Sequence, residues 1–389
     1  MHSLFRGLLA GLLVVGVTAM CAAPNGVIAQ GKKEDIKDRL VGVGTSDGLT
    51  LNGYWFQGTG IEKQRPDAVI MYPAPGSKIN EAWISLAKAL SEKNFSVLLF
   101  DWRGCGLNAP DAAGPRIFED KDKFWKEPYN GKLLMSRKTT LEEKGLDWKY
   151  LFNASDARGR YRDFMLMNDL LAARFYLDKQ SDAGKCNTNR VWLVSEKDGA
   201  HVGMGFIAAE FQRNSIFDPK KNIFDQTSGF KPAGKDYAGI MAMSYTGNGP
   251  SSGTAHMVYR NALPSVGANE NVKEALNHLE DRLAMVMMYT KKEGAGASKS
   301  LAASVRVTGA EADMKKKFKY LKEFDIKVNK PISGIDLIDP MDSFGAKDFV
   351  VKAMVEISKV QNFNKDPTDR EASKMVVVPR FEIEKFNRK

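Results

Sequence analysis

Short runs of apolar residues, separated by segments with helical spacing, divide most of this chain. Residues 39–60, "RLVGVGTSDGLTLNGYWFQGTG", alternate apolar and polar side chains around Asp47-Gly48, which predicts a hairpin. A buried strand follows at Val69 to Tyr72 within "DAVIMYPAPGS". Trp83, Leu86, Ala87 and Leu90 then recur at the spacing of one helix face. The same reading predicts a strand at Val97 to Phe100, running into "DWRGCGLN", and a helix over 162–178. It continues with a strand at Val191 to Val194 and a helix from Asp198 to Arg213. Further strands are predicted in "YAGIMAMSY", "RLAMVMMYT" and "KPISGIDLI", with a last helix over 345–360. Continuous apolar strands alternating with helices indicate an α/β protein whose mostly parallel central sheet is covered on both faces. The rhythm fits one domain over 30–360, interrupted by a charged, lid-like insertion at 109–160 and followed by a polar tail at 361–389.

The N-terminus does not belong to that pattern. Arg6 precedes the apolar run "GLLAGLLVVGVTAM", and Val27 and Ala29 supply the small residues of a cleavage site. Residues 1–29 therefore read as a secretory signal peptide, cleaved near Ala29, with an exported (periplasmic or extracellular) mature chain. The run is too short to span a bilayer, so no transmembrane segment is expected in the mature chain. Met20 before Cys21 argues against a lipoprotein. The remaining cysteines, Cys105 and Cys186, fall at opposite ends of parallel strands and are expected to stay unpaired.

Composition narrows the function classes. The 389 residues are 43% hydrophobic and 27% charged, an ordinary globular balance, with a formal net charge of +10. The basic residues are dispersed and accompany no nucleic-acid motif; a solvated basic surface or an attraction to anionic polymers or membranes would each account for them. The four histidines are scattered singly, so no metal site is expected. "GAGAS" at 294–298 lacks the spacing of a phosphate cradle, and no cofactor is expected. Nothing specifies an oligomeric state.

The chemistry-bearing stretch is "VWLVSEKDGAHVGMG", residues 191–205. A strand, a tight turn and a helix in succession can present a nucleophile on a strained elbow, provided that the residues two before and two after the apex are small. With Ser195 at the apex those neighbours are Leu193 and Lys197, both bulky. With Lys197 there they are Ser195 and Gly199. The second register fits, and it puts a lysine in the nucleophile position.

With these residues in view, the chain from about 38 to 360 resembles the α/β-hydrolase-fold family. "MYPAPGS" is similar to the family's strand-three loop, "FDWRGCGLN" to its D-x-R-G-x-G stretch after strand four, and "VSEKDGA" to its elbow. "MMYTKKEGA" resembles the loop that carries the acid. The resemblance implies a nucleophile position at Lys197, an acid position at Glu293 and a histidine on the loop around Ser333 to Asp339, where none stands. His201 falls one helical turn past the elbow, and His256 and His278 fall between strands in the wrong part of the order. The family's oxyanion donors correspond to the N–H groups of Asp198 and Ala74, the latter between Pro73 and Pro75, which have none. Asp101 and Arg103 read as residues that fix their loop.

Three roles stand open for Lys197: an ion pair with Glu293, an amine nucleophile or base, or a cationic anchor for an anionic ligand. The degraded triad favours a catalytically inactive protein that binds a small-molecule or anionic ligand, or a partner, through Ala74, Lys197, Asp198 and Glu293. The alternatives are an active serine-type ester or amide (dienelactone-like) hydrolase with displaced catalytic residues, and a basic envelope or surface adhesion component.

Overall fold

The computed structural model describes residues 36–59, 64–110, 120–127, 130–131, 134–146, 159–216, 234–245, 283–291, 321–328, 332–338 and 341–361. Two compact units partition the chain, Met1–Asp38 and Arg39–Lys389. The expected signal peptide, Cys21, the tail beyond Gln361, Glu293, His256 and His278 lie outside the described residues.

Eight described strands form one sheet: β1 (Leu40–Gly44), β2 (Thr50–Phe56), β3 (Asp67–Tyr72), β4 (Phe95–Phe100), β5 (Asn187–Glu196), β6 (Tyr237–Met243), β7 (Ala284–Thr290) and β8 (Leu321–Ile326). Their spatial order is β1-β2-β4-β3-β5-β6-β7-β8. β1 and β2 pair antiparallel, as do β2 and β4, and every pair from β4 through β8 is parallel. This is the α/β-hydrolase fold, with the crossover between β3 and β4 that brings β5 to the middle of the sheet.

The parallel strands are apolar because both of their faces are covered. Every residue of β3, β4, β6 and β7 is buried. Side chains alternate between the two faces. Ile70, Tyr72, Leu98 and Phe100 join one large cluster with Leu166, Leu170 and Phe206. Those last three come from α4 (Gly159–Asp182) and α5 (Lys197–Ile216), which pack against each other. On the opposite face lie α1 (Glu81–Glu92) and α6 (Ala346–Val360), also in mutual contact. The Asn80 side chain caps α1 by accepting from the N–H groups of Ala82 and Trp83, and Trp83, Leu86, Ala87 and Leu90 form its buried stripe.

One predicted element moves. "KPISGIDLI" was expected as the last strand, but Gly334–Leu337 is a 3-10 turn and the strand is β8, with sequence LKEFDI. Gly334 has φ +63, a turn conformation that interrupts any extended run. Among the described strands β8 pairs with β7 alone, and it carries Lys322, Glu323 and Asp325, the charged composition of an edge strand. That composition hid it from a search for apolar runs. The loop on which the resemblance implies a histidine therefore begins directly after Ile326, and residues 327–345 contain no histidine.

The described part of the 109–160 insertion is packed into the sheet's own cluster through Phe124, Leu134, Leu141 and Leu146. Phe124 lies on α2 (Lys121–Lys126) and Leu141 on α3 (Lys138–Lys144). A buried polar knot adds a second attachment. The Arg103 guanidinium donates to Asp169 through Nε, at 3.0 Å from Oδ2, and to Asp47 through Nη1, at 2.8 Å. Asp47 also accepts from Asn130 Nδ2 at 2.9 Å. The hairpin turn, the β4 exit, the insertion and α4 are thus joined at one point.

Candidate functional site

The carboxyl ends of the parallel strands share one edge, and β5 ends at its centre. Of the two possible elbow registers, the strained backbone falls on Lys197, which has φ +46 and starts α5. A non-glycine residue in this region is costly and signals a position held by its surroundings. Ser195 lies within β5, fully buried, and its Oγ donates to the Tyr72 carbonyl at 2.9 Å. Gly199 shows why a small residue is needed two positions beyond the apex. A Cβ there would overlap Ser195 Oγ and stand 2.9 Å from the Pro73 carbonyl oxygen. That oxygen is itself held by Trp102 Nε1 at 2.8 Å.

Lys197 and Asp198 are half-buried at the start of α5. Burial, with the Asp198 charge beside it, pushes the Tyr245 phenol up to about 12. His201 is buried one turn along α5, stacked on Tyr245 with ring centroids 6.4 Å apart. The pairing of Lys197 with Glu293 falls outside the described residues.

Glu196, which the sequence reading passed over, sits at the centre of this edge. It is 4% exposed, and its Oε2 accepts from the Ile335 N–H at 2.8 Å. Its Oε1 faces the Ala74 N–H at 3.4 Å. The expected oxyanion donor from the strand-three loop is therefore engaged by the protein's own carboxylate. Gly334 makes room for it. A Cβ at 334 would overlap the Glu196 carboxylate and lie 3.3 Å from Lys197 Cε. The Gly334 N–H donates to Ser244 Oγ at 2.8 Å, and Ser244 directly follows β6 with φ +48. Backbone of the loop after β8 thus closes onto both β5 and β6.

Burial raises the Glu196 pKa, opposed by the Ile335 and Ala74 N–H groups and the Lys197 charge, and reinforced by Asp336. A signal for Glu196 existed in the sequence. A carboxylate that ends an apolar strand is rarely buried without partners.

Asp101 supports the neighbouring loops. Its carboxylate accepts from the N–H groups of Ile79 and Leu107, both at 2.8 Å, joining the strand-three loop to the β4 exit. Burial raises its pKa to about 6, against those two N–H groups and Lys78. A folded-state pKa above the unfolded value of about 3.9 means that the native protein takes up this proton first. Stability from Asp101 therefore rises as pH falls through 6 and levels off below about 4. Asp67 and Asp169 are also raised to about 6, so the wild type should gain stability from pH 7 to pH 5. Asp101→Asn is expected to make that slope shallower, by at most about 1.4 kcal/mol per pH unit. Urea denaturation at pH 5, 6 and 7 checks this, and an unchanged slope contradicts it.

Among the described residues, no group of His, Cys, Asp and Glu could hold a metal ion, and no helix is long and apolar enough to cross a membrane. Cys105 and Cys186 are buried thiols that are not joined in a disulfide.

An α/β-hydrolase sheet with an elbow after β5 defines the structural class. No known family profile matches the chain, and no curated protein matches it in sequence. Solved structures similar to it include a dienelactone hydrolase from Anabaena variabilis, 12% identical, covering 83% of this chain and 96% of that one with a TM-score of 0.40. Est1E from Butyrivibrio proteoclasticus is 12% identical, covering 82% and 99% at a TM-score of 0.41. Esterase 2 of Thermogutta terrifontis is 9% identical, covering 82% and 95% at 0.43.

Proposed function

We propose that this is an exported, non-catalytic protein of the α/β-hydrolase fold that binds a small-molecule or anionic ligand at the edge around Lys197. The observation that carries the reading is the apex itself. A half-buried lysine occupies it with φ +46, while the hydroxyl two residues before it, Ser195 Oγ, is turned into the sheet onto the Tyr72 carbonyl. An acyl-transfer cycle needs an activated nucleophile with a base in reach. An ammonium held beside Glu196 is neither. It is instead suited to anchoring negative charge, with Asp198 and Glu293 proposed as acceptors for donor groups elsewhere on the ligand.

The test is a panel of short- and medium-chain nitrophenyl esters with the mature chain. Turnover is expected to stay at the buffer rate. Turnover lost in His256→Ala or His278→Ala would instead establish a hydrolase with displaced residues. In parallel, a panel of aromatic and aliphatic carboxylates and phosphates is expected to include compounds that raise the melting temperature of the wild type but not of Lys197→Met. Equal shifts in the two proteins would remove Lys197 from the ligand site.

A further inference from the structure

We propose that Glu196 is an internal ligand: its carboxylate fills an anion-binding niche built by the Ala74 and Ile335 N–H groups, and keeps small oxyanions out of it. This goes beyond the ligand site around Lys197, because it concerns what already occupies the adjoining niche.

Three features point the same way. First, the two N–H groups come from different loops, the one after β3 and the one after β8, and converge on opposite oxygens of one buried carboxylate at 3.4 and 2.8 Å. Convergent backbone donors at a strand edge make an anion site whatever supplies the anion. Second, the access is built for a carboxylate. Gly334 leaves open the volume that a Cβ would take from Glu196, and its φ of +63 turns the next N–H onto Oε2. Third, the niche has few substitutes for its donors. Pro73 and Pro75 flank Ala74, so its N–H alone represents that stretch. Burial also makes the ionised Glu196 costly to hold, so the N–H groups retain a group that would otherwise favour its neutral form.

The ligand class follows from the geometry. A planar oxyanion with two acceptor oxygens on one carbon reproduces what Glu196 presents, so a free carboxylate is the matching external ligand. Glu196 and such a ligand exclude each other, which makes the contact autoinhibitory for the niche.

The experiment is chemical rescue with sodium formate as the probe and sodium chloride at equal ionic strength as the control, read by thermal unfolding of the full mature chain. Glu196→Ala is expected to melt below wild type and to recover several degrees in formate, along a saturating curve that chloride does not reproduce. Wild type and Glu196→Gln, in which the space stays filled, are expected to respond to formate clearly less than Glu196→Ala. A direct readout accompanies it: saturation transfer from protein to the formate proton should be larger with Glu196→Ala than with wild type at equal formate. Formate shifts of equal size in wild type and Glu196→Ala, or a Glu196→Gln response as large as that of Glu196→Ala, would overturn the proposal. If Glu196→Ala folds in neither salt, Glu196→Ser carries the same comparison with the same outcomes. Failure here leaves the Lys197 reading standing, since that one is decided in the wild type by esters and larger ligands.

Discussion

Arg103→Leu is expected to cost about 3–5 kcal/mol of folding stability, because it strands two buried carboxylates around a single lost cation. In the native protein Arg103 and Asp169 are 1% and 0% exposed as an ion pair, and Asp47 completes the group from the hairpin turn. Burial raises the Asp169 pKa to about 6 even with the guanidinium present. Burial also opposes ionisation of Asp47, yet the Arg103 charge and the bonds from Arg103, Thr45 and Asn130 together hold its carboxyl below the usual range. One cation between two acids leaves the group short of positive charge. Without Arg103 the remaining pair would have to protonate or draw in water, and the described insertion would lose its tie to the hairpin. Guanidinium denaturation of the purified variant measures the loss. Combining Arg103→Met with Asp47→Asn and Asp169→Leu should recover most of it, since a neutral group of similar volume has no charge to desolvate. A triple variant no better than Arg103→Leu would show that the knot works by shape rather than by charge.

The second large effect is expected at Gly334. Alanine there must adopt a left-handed backbone, at about 1–2 kcal/mol. It must also displace the Glu196 carboxylate, which leaves the Ile335 N–H without its acceptor and adds about 1–3 kcal/mol. A total near 2–5 kcal/mol should appear in the wild-type background. With Glu196→Ala already present the overlap is gone, and the same substitution should cost about the backbone term alone. A double-mutant cycle by urea denaturation reads the difference. Equal costs in both backgrounds would mean that Gly334 answers only to its φ angle.

How much of this was legible in the sequence depended on where each residue's partners lie. The central strands were readable because burial on both faces demands unbroken apolar runs, as in DAVIMY and AMVMMYT. Helix α1 was readable because its stripe, Trp83 to Leu90, faces one surface. The elbow was readable because the tightest overlap at Gly199 is with Ser195, four residues before it, although the Pro73 carbonyl adds a distant constraint. β8 was missed because an edge strand keeps charged side chains and imitates a loop. Glu196 was missed for a different reason. Its acceptors are satisfied by Ala74 and Ile335, 122 and 139 residues away, and no local pattern records such a convergence. Gly334 shares that fate, for its need to lack a side chain is set by β5.

Under the proposed non-catalytic reading, the carboxylate between the β3 and β8 loops also dictates an order of operations for anyone who would turn this scaffold into an esterase. A serine grafted at 197 and an imidazole added after β8 would meet a stabilising amide already spoken for, because the Ala74 N–H faces Glu196. Clearing position 196 has to come first. Until then each catalytic graft is expected to gain nothing alone.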